Sequence, residues 1–191
     1  NRLYQTSPIV AFPTQDRTVT PTPLPKDYFC DGSIGQIVTY DESNQVDSAY
    51  IYPTMRRGGR MVYGLDVTDP TSPDLLWRFG CPNLNNDTGC PTGYSELGQS
   101  WSTPQGAFVE DTSNEGAKKA RVVFGGGYDN CLDSDQAAYP CSLSAKGRGI
   151  YVLDAVSGAV LRGPTNLTTG APDLATDAPV VAEVATVDMD F

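Results

Sequence analysis

Apolar positions along this chain come in short runs that alternate with polar ones, and glycine, proline or asparagine interrupts each run before a helical period builds up. IGQIVTY at 34–40, SAYIYPTM at 48–55, RMVYGLDV at 60–67 and DLLWRFG at 74–80 all read this way. A period of two puts successive side chains on opposite faces, so these runs predict strands half-buried against a core. In the second run Tyr50 and Tyr52 share one face, and Ala49 and Ile51 the other. ESNQVD reads as the hairpin loop between the first two strands, and MRRGGR as the turn into the third. Further on, WSTPQGAFVED, ARVVFGGGYDN, GIYVLDA and AVLRGP repeat the alternation, with SNEGAKK as a charged turn. The triple glycine at 125–127 lets one backbone approach another closely.

One pair of runs is a repeat. GRMVYGLDV at 59–67 returns as GRGIYVLDA at 147–155, at a constant offset (147 − 59 = 88), with Gly, Arg, Tyr, Leu and Asp in register. Each copy ends in a turn: Asp66 is followed by VTDPTSP and Asp154 by AVSG. An Asp in that position bonds the turn's own backbone, and Pro70, Pro73 and Gly158 supply turn geometry. A repeated hairpin with long, variable spacers is the pattern of blades in a radial β array. The expected fold is therefore all-β, with repeated four-stranded antiparallel blades of a β-propeller. It has an extended segment at 1–26 (one strand within it at 9–12), a blade at 31–79, an insertion at 81–98, a blade at 99–163 and the start of a third at 178–191. Trp77 is expected to pack between blades. Two blades and one strand cannot close a ring of about four blades or more, so the sequence is expected to be a piece of a larger molecule.

Composition narrows the class. A hydrophobic fraction of 39% with 19% charged residues over 191 residues suits a folded domain with a real core. The net charge of −10 argues against nucleic acid and against anionic lipid. No apolar run approaches the roughly 20 residues of a membrane helix, so membrane insertion is not expected. Of the five cysteines, Cys81 and Cys90 close one loop and Cys131 and Cys141 another, and both loops are rich in turn-forming residues. The expected disulfides are Cys81–Cys90 and Cys131–Cys141, in an oxidising compartment, with Cys30 left over. The chain has no histidine, which removes Ser–His and Cys–His nucleophile pairs and the commonest zinc ligand.

The remaining candidates have structural readings beside them. Asp66 and Asp154 read as turn residues, and the glycines at 125–127 lack the Lys-Ser/Thr of a phosphate loop. Arg56, Arg57 and Arg60 form a basic cluster that suits an acidic partner, although a solvated turn bridging nearby aspartates accounts for it more simply. Asn86 and Asn166 each begin an Asn-x-Thr glycosylation pattern, which is short enough to arise by coincidence.

RRGGRMVYGLDVTDPTSPDLLWRFG resembles the C-terminal β-propeller of the PilY family, type IV pilus biogenesis proteins and pilus-tip adhesins. The family pattern there is a GGRG-type turn, an aromatic, a small residue, LDVTDP and a short gap to LW, with Met61 standing here in place of the turn's last glycine. KDYFCDGS, VVFGGGYDNC and GRGIYVLDAVSGAVL extend the resemblance over most of 27–191. It implies a non-enzymatic, extracellular or cell-surface module at the pilus tip, exported through the periplasm and acting in pilus assembly, retraction control and adhesion. The implied partners are pilins and minor pilins, host or abiotic surfaces, and the rest of its own propeller with an N-terminal domain.

The resemblance also implies a calcium loop of the D-x-D/N-x-D type, beginning at Asp188 and Asp190. Two carboxylates supply a minority of the 6 to 8 oxygens calcium takes, so weak binding is expected unless further ligands follow. A second acidic loop, with Asp129, Asp133 and Asp135, fits no standard calcium spacing. The alternative function is a quinoprotein dehydrogenase propeller of the pyrroloquinoline-quinone type, because LDAVSGAVL resembles the hairpin of those enzymes. Against it, Arg162 and Gly163 stand where the docking Trp belongs, and no adjacent cysteine pair is present.

Overall fold

Among the described residues the period-two runs become eight strands in two antiparallel sheets. The computed structural model describes residues 28–84, 86–111, 114, 117–129, 146–165 and 171–187. The first sheet contains β1 (Ile34–Tyr40), β2 (Val46–Pro53), β3 (Arg60–Asp66) and β4 (Asp74–Cys81), paired in chain order. The second contains β5 (Gln105–Glu110), β6 (Lys118–Gly125), β7 (Ile150–Asp154) and β8 (Val160–Arg162), again in chain order. The strand expected at 9–12 lies outside the described residues.

Local chemistry accounts for the turns. Asp41 Oδ1 accepts the N–H groups of Ser43 and Gln45, at 2.8 and 2.9 Å, so β2 starts earlier than the polar loop alone suggests. Lys118 and Lys119 read as turn residues but extend β6 opposite Glu110 and Val109, and the Lys119 ammonium lies 2.9 Å from the Asp111 carboxylate. β5, in contrast, starts only at Gln105. The residues before it serve other partners: Ser102 Oγ accepts the Gly125 N–H at 3.0 Å, and a Cβ on Gly35 would lie 2.0 Å from the Pro104 carbonyl oxygen.

The repeated segments hold matching places. β3 and β7 are each the third strand of their sheet, and each ends in an Asp-centred turn. Asp66 Oδ1 accepts the Thr68 N–H at 2.9 Å, and Asp154 Oδ1 accepts the Ser157 N–H at 2.9 Å. The side chain satisfies amides that the ladder leaves behind, which is why the chain reverses there.

Sheet against sheet, the stacking is head to tail. The first sheet presents Ile37, Tyr52, Val62, Trp77 and Phe79, and the second meets it with Val122, Phe124, Tyr151 and Leu153, all buried. The repeat aligns Tyr63 and Leu65 with Tyr151 and Leu153, yet the second pair is buried in the interface and the first looks out the other way, half-buried. Equivalent faces therefore do not meet each other: the back of one sheet packs on the front of the next. Phe79 is the centre of the contact, with its ring 5.0 Å from Tyr151 and 5.6 Å from Phe124.

Trp77 joins the sheets directly. Its Nε1–H donates to the Ala155 carbonyl at 3.0 Å, and Tyr52 donates its hydroxyl to the same oxygen at 3.3 Å. The two rings stack 5.7 Å apart. Glycine makes the room: a Cβ on Gly64 would lie 2.3 Å from the indole, and one on Gly158 2.5 Å from it. The segment 178–187 belongs to no strand. It crosses the end of the second sheet, where Val180 donates to the Gly147 carbonyl (2.8 Å) and accepts from the Gly127 N–H (3.0 Å).

Candidate functional site

Arg60 is the most heavily coordinated side chain among the described residues, and it is not the solvated turn residue that its neighbours suggest. It lies in β3, only 2% exposed. Its Nε donates to the Leu97 carbonyl at 2.7 Å, and its terminal nitrogens reach the carbonyls of Asn83, Asn86 and Ser95 and the Asp87 carboxylate at 2.9–3.2 Å. Every one of those acceptors belongs to the loop between the two sheets. That loop is also closed by a disulfide between Cys81 and Cys90, with Cα atoms 4.4 Å apart. The described residues of the loop form no strand, so its inward-facing carbonyls need a donor from elsewhere, and one planar guanidinium supplies five N–H groups.

From the segment that leads into β7, Lys146 Nζ reaches the other Asp87 oxygen at 3.0 Å and the Ser95 carbonyl at 2.8 Å. Arg148, the repeat's counterpart of Arg60, stands 3.9 Å from Glu96 in the same loop. Glu96 and Arg148 also line an open cleft of about 240 Å³, together with Pro164, Thr165, Pro172, Ala175 and Thr176. The signal that could have marked Arg60 in the sequence is the Gly-Arg pair shared by both copies of the repeat.

Burial pushes the Asp87 carboxyl up, but hydrogen bonds and charge from Lys146 and Arg60 outweigh it and hold the group below its ordinary range. At Asp154 burial also acts upward, and the Ser157 and Val156 contacts with the Arg121 charge reverse it. A carboxyl with a depressed folded pKa contributes stability that is complete above its unfolded value, about 3.9, and lost as pH falls through the folded value. Urea midpoints are therefore expected to be flat above about pH 5 and to fall below about pH 4. Asp87→Asn should lower the plateau and make the acid limb shallower; an unchanged acid slope would remove Asp87 from this account.

Tyr151 carries a second expectation. Its hydroxyl is buried and has no hydrogen-bond partner among the described residues, and burial raises its pKa far above the ordinary phenol value. Tyr151→Phe is therefore expected to be neutral or stabilising by up to about 1 kcal/mol. Tyr52→Phe, which removes the bond to Ala155, should cost about 1 kcal/mol. Equilibrium urea unfolding compares the two, and a larger loss at Tyr151 would contradict the assignment.

The other sequence candidates divide clearly. Cys81, Asp87 and Cys90 bring three ligand-type atoms within 4.8 Å of one another, but the sulfurs are bonded to each other and the carboxylate is held by Arg60 and Lys146. That is a structural knot rather than a metal centre. Cys30 is free and exposed. Asp129 is buried and accepts the Lys146 N–H at 2.7 Å. Asp188 and Asp190, Cys131 and Cys141, Asp133 and Asp135, and Asn166 lie outside the described residues. Arg56 and Arg57 stay near the surface in a 3-10 turn, over the Trp101 ring, and among the described residues neither bridges an aspartate. Among the described residues no helix is long and apolar enough to cross a membrane.

No family model matches the chain, and no curated protein matches it. Among solved structures it is similar to the crystal structure of the Pseudomonas aeruginosa PilY1 C-terminal domain, at 24% identity and a TM-score of 0.45. The match covers 75% of this chain and 23% of that one, so this chain spans about a quarter of that chain's length.

Proposed function

We propose that this chain is a non-enzymatic part of a β-propeller in a type IV pilus-tip protein, acting at the cell surface in pilus assembly, retraction control and adhesion. The observation that carries the reading is the run RRGGRMVYGLDVTDPTSPDLLWRFG with its resemblance to PilY-family propellers. Head-to-tail stacking supports the propeller half. Each sheet still offers one half-buried apolar face, Met61, Tyr63 and Leu65 on the first and Val123, Ile150 and Val152 on the second. These are the faces that further blades would cover in a ring, because each repeats a face already used in the contact between the two sheets. The disulfide at Cys81–Cys90 suits an oxidising location.

In this reading the partners are pilins or minor pilins, the rest of the propeller, and host or abiotic surfaces. Asp188 and Asp190 contribute two carboxylates to a calcium site on the strength of the sequence alone. Calorimetric calcium titration should weaken on Asp188→Asn, and an unchanged isotherm moves the ion elsewhere. The function itself is tested in a piliated source cell. Antibody against the chain should label pilus tips, and deletion should reduce surface pili and adhesion. Label absent from sheared pili with pilus number unchanged, or quinone absorbance after reconstitution, would overturn the reading.

A further inference from the structure

The turn between β2 and β3 holds two arginines in an arrangement that neither the disulfide loop nor the sheet packing uses. Arg56 and Arg57 are adjacent in the 3-10 turn Arg56–Gly58. The Arg56 guanidinium stands 5.5 Å from the Trp101 ring, and that of Arg57 stands 5.9 Å from Trp101 and 5.9 Å from Tyr28. Trp101 is itself fixed, by an Nε1–H bond to Gln99 Oε1 at 3.2 Å and an edge contact with Tyr128. Stacking on an aromatic face holds a guanidinium in one plane and leaves its N–H edge free.

Two further features set this turn apart. Arg56 has φ 47°, the left-handed region that a side chain other than glycine, asparagine or aspartate rarely occupies. Such conformations cost energy and cluster at binding sites, where the surroundings hold them. The backbone is pinned there by the Arg56 N–H on the Ser100 carbonyl (3.1 Å) and the Met55 N–H on Ser100 Oγ (2.9 Å). In addition, Arg56 Nε is buried and has no hydrogen-bond partner among the described residues, while one terminal nitrogen donates to Ser33 Oγ at 3.2 Å. Among the described residues neither arginine forms an ion pair, in a chain whose net charge is −10.

We propose that Arg56 and Arg57, placed over the rings of Trp101 and Tyr28, form a docking site for a protein segment carrying one carboxylate or an adjacent pair. The exposed Arg57 guanidinium, with the Arg56 terminal nitrogen that Ser33 does not take beside it, matches the geometry of carboxylate oxygens, the pairing by which arginine clusters recognise acidic motifs. The net charge decides the size of the ligand. A long polyanion meets the field of the whole acidic surface, whereas one or two charges need only the local arginines, within a Debye length of about 8 Å.

The test follows the two indole N–H resonances of the full chain by NMR during titration with N-acetyl-Asp-Glu-amide. The expected result is a saturable shift of the Trp101 signal with that of buried Trp77 unmoved, and no such shift from the Asn-Gln counterpart. Arg57 is exposed and makes no hydrogen bond among the described residues, so Arg57→Gln should stay folded and weaken binding about tenfold, with Arg57→Lys in between. An equal shift from the uncharged peptide, a parallel shift of Trp77, or unchanged affinity in Arg57→Gln would overturn the proposal. Tighter binding of heparin than of the peptide would overturn the ligand class.

Discussion

Arg60→Ala is expected to destabilise the protein by about 3–5 kcal/mol and to lower Tm by roughly 10 °C. The guanidinium is 2% exposed and serves four loop carbonyls and one carboxylate, so its loss strands several acceptors at once. The Asp87 end is partly open to solvent and, like the Ser95 carbonyl, keeps Lys146, but the carbonyl of fully buried Leu97 has less access to replacement. Arg60→Lys should recover only part of the loss, because an ammonium has three donors and no fork. Thermal melting of the three proteins gives the ranking, and limited proteolysis between the sheets should find the loop opened in Arg60→Ala. A Tm within roughly 2 °C of the parent would mean that the disulfide holds this loop without help.

The second large effect lies between the sheets. Trp77→Ala is expected to cost about 3–5 kcal/mol, from lost burial and from the cavity left beside Tyr52 and Ala155. Gly158→Ala should also destabilise, for two separable reasons. Gly158 has φ +68°, and a Cβ there would lie 2.5 Å from the Trp77 ring. The backbone part, about 1–2 kcal/mol, persists whatever residue stands opposite. The clash disappears when the indole does. The double mutant Trp77→Ala/Gly158→Ala should therefore lose less than the sum of the single losses, by about 1 kcal/mol or more. Strict additivity in urea unfolding would show that the indole does not press on this turn.

Much of this architecture is legible in the residues because it depends on near neighbours. Strand after strand follows from a period of two, and the reversals after Asp66 and Asp154 follow from a carboxylate bonding amides two or three positions on. The ends of strands were less legible. Lys118 and Lys119 resemble turn residues, but pairing with Glu110 and Val109 draws them into β6. Ser102 and Pro104 resemble strand residues, but contacts with Gly125 and Gly35 hold them out of β5.

The basic cluster shows the limit most clearly. In the sequence Arg56, Arg57 and Arg60 are alike: three cations beside glycines. Pairing of β3 with β4 carries Arg60 inward to the open carbonyls of the disulfide loop, while the 3-10 turn leaves Arg56 and Arg57 outside against Trp101. What the sequence by itself determined was the strand order, the repeat and the Asp-centred turns, all of which rest on alternation and on hydrogen bonds a few residues long. Only the tertiary structure decided which face of each repeat is buried, which arginine is a core residue and which are surface donors. Those outcomes depend on partners 37 to 45 positions away, from Leu97 for Arg60 to Trp101 for Arg56, and no local pattern records a partner at that distance.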